Sequence, residues 1–314
     1  MSKAATVLVV GGGGFIGSVT CRQLLERGWN VRILDNFSRS SREQIEAQLP
    51  GAEIHEGDIR YVATVDRAMR GADELIHLAA TSINKSSNDP AESLDIDFRG
   101  MQHVFESACN HGIGKVVFAS SASVYGEPKT LPMTETDEIN PRTPYCIGKF
   151  AGERMLAFYA ERQALRWVAL RFFNVYGPGQ NAGAYYTSVV LTFLRRIARG
   201  EPPVIDGDGT QTMDFVHVED VARAVVMALE GDASGEVLNV GTGTQTSIAE
   251  LATILIRHMG AGIQPQFWPR DVLVSRREAD ITRIRSVLGW EPTVGLEEGL
   301  ASVIEHLKAK GELA

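Results

Sequence analysis

The sequence predicts an α/β fold, a doubly wound parallel sheet followed by a smaller, mixed α/β domain, on three observations. Up to about residue 175, short β-branched runs alternate with longer helical patterns, the signature of βαβ units. The first of those runs passes directly into a glycine-rich turn and then a helical pattern. Beyond Gly177 the texture changes to Gly-Pro-Gly, Pro-Pro and Asp-Gly-Asp-Gly turns set among helical segments. The expected division is 1–176 for the sheet domain and 177–314 for the smaller one, with some interleaving of the chain.

The first strand is expected at residues 6–10, and the next at 31–34, 75–78, 115–120 and 168–171. Several are apolar on both faces, as strands covered by helices on both sides should be. Helical patterns fill the gaps at 16–27, 91–110 and 145–162, and return in the second part at 187–199, 219–230, 247–259 and 296–308. No internal repeat or low-complexity linker separates the two parts. A cleft is therefore expected between them, with ligands beyond the carboxyl ends of the strands.

Composition narrows the classes of function. The 314 residues are 44% hydrophobic and 22% charged, the balance of an ordinary globular protein. A net charge of −8 without a long basic run argues against nucleic acid as a partner. Cys21, Cys109 and Cys146 are too few and too scattered for a disulfide framework, which fits a reducing cytoplasm. The first ten residues lack a signal-peptide pattern, and no stretch approaches the ~20 apolar residues that span a bilayer, so no membrane partner is expected. The histidines form neither H-x-H nor H-E-x-x-H, so no metal site is expected. His77 and His217, in apolar strands, are expected to be hydrogen-bonded core residues.

Gly11, Gly14 and Gly17 follow the first strand with a G-x-x-G-x-x-G spacing. Such glycines make a tight turn, let the backbone approach a pyrophosphate and allow close helix–strand packing, while the positive helix end holds the diphosphate. Asp35 ends the second strand, where a carboxylate accepts hydrogen bonds from ribose hydroxyls and repels a 2′-phosphate. That favours NAD over NADP, a preference that Arg39 and Arg42 weaken, while a helix or turn cap is the alternative for Asp35. Asp58 falls where an adenine should sit, or is a turn carboxylate.

Tyr145 and Lys149 stand four apart at the start of a helical pattern and so share one face. An ammonium beside a phenol favours the phenolate and makes a general base for a sugar hydroxyl. Cys146 follows directly and points off that face, which suits packing. The strand before this helix ends in Ser120-Ser121-Ala122-Ser123, placing hydroxyls at a carboxyl edge of the sheet. Ser121 is expected to bond the reacting oxygen and share its proton with Tyr145; Ser120 and Ser123 act there too or cap the turn. No G-x-S-x-G elbow surrounds any of these serines, which excludes the corresponding hydrolase reading.

Taken in order, Gly11–Gly17, Asp35, His77-Leu78-Ala79-Ala80, Ser121–Gly126, Tyr145 with Lys149, Arg171–Pro178, Gly207–Val218 and Leu288–Pro292 run nearly end to end. With these motifs the chain resembles the extended short-chain dehydrogenase/reductases, whose cofactor domain has the Rossmann fold. Within them it is most similar to the nucleotide-sugar epimerases and dehydratases, and among those to the UDP-hexose 4-epimerases. The resemblance implies a tightly held NAD that oxidises C4 of the sugar, Tyr145 as base, and a 4-keto intermediate that turns over before the hydride returns on its other face. It implies that Gly11, Gly14, Phe15, Ile16, Gly17, Asp35, Asn36, Ser38, Asp58, Ile59, Leu78, Ala79, Ala80, Ser120, Tyr145 and Lys149 face the cofactor. Ser121, Ser123, Tyr145, Phe173, Asn174, Val190 and Gln211 would face a UDP-linked sugar. A homodimer through helices near 91–111 and 145–162 is implied as well.

The departures from the family pattern are chemical. Ala122-Ser123 stands where the 4,6-dehydratases carry Asp-Glu, and the glutamate usual in decarboxylases is missing too. Epimerase is therefore preferred, with a UDP-glucuronate 4-epimerase nearest to it and a decarboxylase or dehydratase next. Val10 replaces the usual threonine, Asp97 the asparagine of many members, and Met213 the arginine that grips the diphosphate. Arg276 or Arg277 is expected to carry that charge, or either is a solvated surface residue.

Overall fold

The computed structural model of the chain describes residues 5–180, 188–269 and 275–313. In chain order the first part runs β1 (Thr6–Val10), α1 (Phe15–Glu26), β2 (Asn30–Asp35), α2 (Arg42–Gln48), β3 (Glu53–Glu56), α3 (Val62–Met69) and β4 (Glu74–His77). It continues with α4 (Ile83–Asn88), α5 (Pro90–Leu94), a π-helical turn over Asp95–Gly100, α6 (Met101–Asn110), β5 (Lys115–Ser121), α7 (Pro144–Gln163) and β6 (Arg166–Phe172). The rest is β7 (Asn174–Tyr176), α8 (Ser188–Ala198), β8 (Val204–Asp206), β9 (Thr212–Met213), β10 (Phe215–His217) and α9 (Val218–Glu230), then β11 (Glu236–Val240), β12 (Thr246–Ser247), α10 (Ile248–His258), β13 (Gln266–Trp268), α11 (Thr282–Leu288) and α12 (Leu296–Ala309).

Seven parallel strands form one sheet in the order β11-β6-β5-β4-β1-β2-β3. From β1 the chain first builds outward through β2 and β3, then returns to the other side of β1 with β4. The order thus reverses between β1 and β4, and the crevice beyond their carboxyl ends is the place where such sheets take a ligand. Apolar side chains cover both faces. Leu8, Val10 and Phe118 pack with Phe105 and Leu156 of α6 and α7 on one side. Val7, Val9 and Leu170 pack with Leu24, Val221 and Val225 of α1 and α9 on the other.

A third core joins α8, α10 and α12 around Leu194, Leu251, Leu255, Leu300 and Val303, with Ile205 and Phe215 from the short strands. The chain after 177 also returns to the large sheet, through β11 at its edge and α9 beneath it. A clasp between α1 and α9 holds that return, with Arg22 donating to both Glu219 carboxylate oxygens at 2.6 Å.

The strands expected in the first part form with ends shifted by one or two residues. Two strands of the seven-stranded sheet lie outside the expected set. β3 reads Glu-Ile-His-Glu, an edge strand with one apolar residue, and β11 lies among the turns of the second part. The expected 91–110 helix is interrupted by the π turn, which carries the buried Asp97. Residue 187, the expected start of the helix after the Gly-Pro-Gly turn, lies outside the described residues. No described helix is long and apolar enough to cross a membrane.

Candidate active site

Backbone geometry builds the first half of the site. Gly11 takes a φ of +84°, and a Cβ there would stand 2.6 Å from the amide nitrogen of Ala79. A Cβ on Gly17 would stand 2.2 Å from the Gly11 carbonyl oxygen, so only glycine lets α1 pack this closely on the turn. Gly14 caps α1 without a side-chain bond, and the first turn holds no acidic residue. The amides at that end are thus unspent, in a cradle that fits a diphosphate. Phe15 and Ile16 open the helix and pack partly on the core, while Leu78 and Ala79 both donate their amides to the Val10 carbonyl, at 2.8 and 3.0 Å. These bonds hold the Leu78–Ala80 segment over the turn.

Asp35, at the end of β2, accepts hydrogen bonds from the amides of Gly13 at 2.9 Å and Phe37 at 2.8 Å. Burial pushes its carboxyl upward while those amides and Arg39 pull it down. Each oxygen keeps a lone pair for a ribose hydroxyl. Asn36 and Ser38 are exposed beside it, and the Asn36 amide donates to Asp58 at 3.1 Å. Arg60 donates to both Asp58 oxygens, at 3.0 and 2.8 Å, and holds the carboxyl down at about 2. Asp58 is thus engaged as a turn carboxylate. Ile59 is buried, its carbonyl against His103 at 3.0 Å.

The second half stands at the carboxyl edge of β5. Thr143 caps α7, so Tyr145 comes in its first turn. Lys149, one turn on, is buried and donates to the Ala119 carbonyl at 2.7 Å, and its ammonium sits 5.6 Å from the centre of the Tyr145 ring. Burial depresses Lys149 to about 8, opposed by Asp97 and assisted by Arg39. Burial raises the Tyr145 phenol; a hydrogen bond with the Ser121 side chain lowers it and Asp97 raises it. Ser123 donates its hydroxyl to Ser121 at 2.8 Å, completing a chain of hydroxyls to Tyr145.

Ser120 is placed differently. Its hydroxyl is buried and donates to Glu153 at 2.5 Å, on the face of β5 that packs against α7. Glu153 also takes two bonds from Arg171, whose fork reaches Tyr125, and Tyr125 bonds Asn239. Sequence reading passed over this network, although Glu153 continues the four-residue spacing of Tyr145 and Lys149. His77 does pack as a core residue, between Phe105 and Phe118, but its Nδ1 has no hydrogen-bond partner among the described residues. The expectation of a hydrogen-bonded histidine fails there because the Phe105 and Phe118 rings pack against the imidazole.

On the far side, Phe173, Asn174 and Val190 are buried, and the Asn174 amide nitrogen of the side chain donates to the Asp214 carbonyl at 3.2 Å. Gln211 donates to the Asp206 carbonyl at 3.1 Å, while its Oε1 is buried without a partner among the described residues. The structure separates the two arginines. Arg277 is buried and spends its guanidinium on the carbonyls of Gly126, at 2.9 Å, and Ala122, at 3.4 Å. Arg276 is exposed beside Thr212, with Asp208 nearby.

Known proteins match the chain over nearly its whole length. The profile of the NAD dependent epimerase/dehydratase family matches residues 7–241. A putative UDP-glucose 4-epimerase of Methanocaldococcus jannaschii is 37% identical over 306 residues, covering 96% of this chain and 98% of that one. The crystal structure of the UDP-glucose 4-epimerase of Thermotoga maritima, with UDP-glucose, superposes with a TM-score of 0.90 at 35% identity, covering 97% and 99% of the two chains. The UDP-N-acetylglucosamine 4-epimerase of Methanobrevibacter ruminantium, in complex with UDP-N-acetylmuramic acid, gives 0.91 at 31% identity and 98% and 99% coverage.

Proposed function

The chain belongs to the NAD dependent epimerase/dehydratase family, and on that premise we propose that it is a 4-epimerase of a UDP-sugar. The observation that carries the reading is the meeting of Tyr145, Lys149 and Ser121 at the carboxyl edge of β5, across the strand-order reversal from the Gly11–Gly17 cradle. The cradle amides hold the diphosphate of NAD and Asp35 its ribose hydroxyls. When bound, the oxidised nicotinamide supplies the hydride acceptor for C4 and a positive charge beside the Tyr145 phenol.

This chain's own groups move the proton. The Tyr145 phenolate takes the proton of the sugar 4-hydroxyl, and Ser121 donates a hydrogen bond to the same oxygen as it becomes a carbonyl. Lys149 holds the phenolate by charge. After the 4-keto sugar has turned, C4 would take the hydride back on its other face while the same phenol returns its proton to the C4 oxygen. Ala122 and Ser123 offer no carboxylate to protonate a leaving 6-hydroxyl, which supports epimerisation over dehydration. Arg276, exposed beside Thr212, meets the substrate diphosphate, and Arg277 props the turn after Ser121. The chain works as a cytoplasmic homodimer through the faces of α5, the π-helical turn and α7, where Leu94, Phe98, Ile147 and Phe158 are each 44–48% exposed.

The reading is tested by incubating the purified protein, without added NAD, with UDP-glucose, UDP-N-acetylglucosamine and UDP-glucuronate, products being identified by NMR. Interconversion of C4 epimers of one or more is expected. Release of CO₂ or water, or no turnover of any of the three, sinks the proposal. Tyr145→Phe should abolish turnover and leave NAD bound.

A further inference from the structure

We infer that Glu153 and Arg171 form a positioning pair that sets Tyr145 against Ser121, and so control the chemical step without touching substrate or cofactor. The inference rests on the function proposed above and adds two residues to it. Tyr145, Lys149 and Glu153 lie four residues apart along one face of α7, the face turned to β5. The helix is thus tied to the strand at two successive turns: Lys149 to the Ala119 carbonyl at 2.7 Å and Glu153 to the Ser120 hydroxyl at 2.5 Å. Ser120 immediately precedes Ser121, so the second tie fixes the strand at the residue before the Ser121 hydroxyl.

Arg171 carries the constraint to the other side of that hydroxyl. It stands beside Ser120 on the neighbouring strand and meets Glu153 with two parallel bonds, Nε to one oxygen at 2.9 Å and a terminal nitrogen to the other at 2.8 Å. Its remaining terminal nitrogen donates to the Tyr125 hydroxyl at 2.8 Å and to the Glu135 carbonyl at 3.2 Å. Tyr125 closes the short turn that Ser121 opens, and its hydroxyl donates to Asn239 at 2.7 Å. One rigid guanidinium therefore joins the helix of Tyr145 to the turn of Ser121, and a fork is needed for that because its donors are fixed in a plane. The pair is 3–5% exposed, so water cannot substitute for either partner.

The test compares Tyr125→Phe and Arg171→Lys with the parent, all as NAD-loaded protein. Tyr125→Phe cuts the link to the turn and leaves the buried ion pair intact, so folding is retained. Its kcat should fall about tenfold to a hundredfold with substrate KM within about twofold, the cost of a small misplacement of reacting groups. The acid limb of kcat should also move up by about half a pH unit, because Tyr145 loses the Ser121 bond that favours its phenolate. Arg171→Lys keeps the charge and should not restore activity. The phenolate absorbance of Tyr145, titrated with Tyr145→Phe as blank, reports the same shift without any sugar. An unmoved phenolate titration in Tyr125→Phe, or full activity in Arg171→Lys, overturns the inference. A parent protein inactive on every UDP-sugar with the phenolate shift present overturns only the proposed reaction.

Discussion

The ammonium of Lys149 sits 5.6 Å from the centre of the Tyr145 ring and is pinned to the Ala119 carbonyl at 2.7 Å. Burial has brought that ammonium down to about 8. The charge that supports the phenolate is therefore present below pH 8 and lost above it. We expect kcat to fall as pH rises through about 8, and Lys149→Met to lower it by about a hundredfold at pH 7. A profile flat to pH 10 would show that the charge is not needed.

Gly17 and Gly14 make a controlled pair. A methyl group on Gly17 meets backbone, the Gly11 oxygen at 2.2 Å, whereas on Gly14 it meets the same oxygen at 3.3 Å. Gly17→Ala should purify without NAD and lose about 1–3 kcal/mol from overpacking. Gly14→Ala should keep most of both. Bound NAD by absorbance and urea midpoints decide, and equal effects at the two positions would count against the packing argument.

The two arginines should part company. Arg277→Ala leaves the Gly126 and Ala122 carbonyls without their donor, costing about 1–3 kcal/mol in a buried setting. Arg276→Ala changes an exposed residue, with stability within about 0.5 kcal/mol, but should raise substrate KM about tenfold. Steady-state kinetics and thermal unfolding of both variants check this. An unchanged KM in both would remove either residue from the diphosphate.

His77 sets a pH dependence of stability. Burial drives its imidazole from 6.5 down to about 3. The unfolded chain binds the proton first, so stability is full above about 6.5 and falls as pH drops toward 3, by at most about 1.4 kcal/mol per unit. His77→Phe, stacked on Phe118 and edge-on to Phe105 in the same way, should flatten that slope. Denaturant midpoints at pH 7 and pH 5 measure it, and parallel losses in both proteins would exclude His77 as the source.

Phe158 is 46% exposed on α7, away from Tyr145. If this face joins two copies, Phe158→Glu should halve the mass seen by light scattering and leave NAD bound, since a charge buried in an apolar interface is costly. An unchanged mass would place the interface elsewhere.

The alternation of strands and helices, the Gly11–Gly17 turn and the four-residue spacing of Tyr145 and Lys149 were legible in the sequence because each is a short-range pattern. A β-branched run, a turn without room for Cβ and a helix face need no partner far along the chain to be recognised. That local information determined five of the seven sheet strands, the glycine turn and the shared helix face of Tyr145 and Lys149. Only the tertiary structure decided that β11 and α9 return to the sheet, that Arg277 braces the turn after Ser121, and that Ser120 bonds Glu153 within the buried Arg171–Tyr125–Asn239 network. Those residues meet across separations such as the 155 positions between Arg277 and Ala122. Which side chains face each other there depends on how distant elements cross and pack, and no spacing along one segment carries that information.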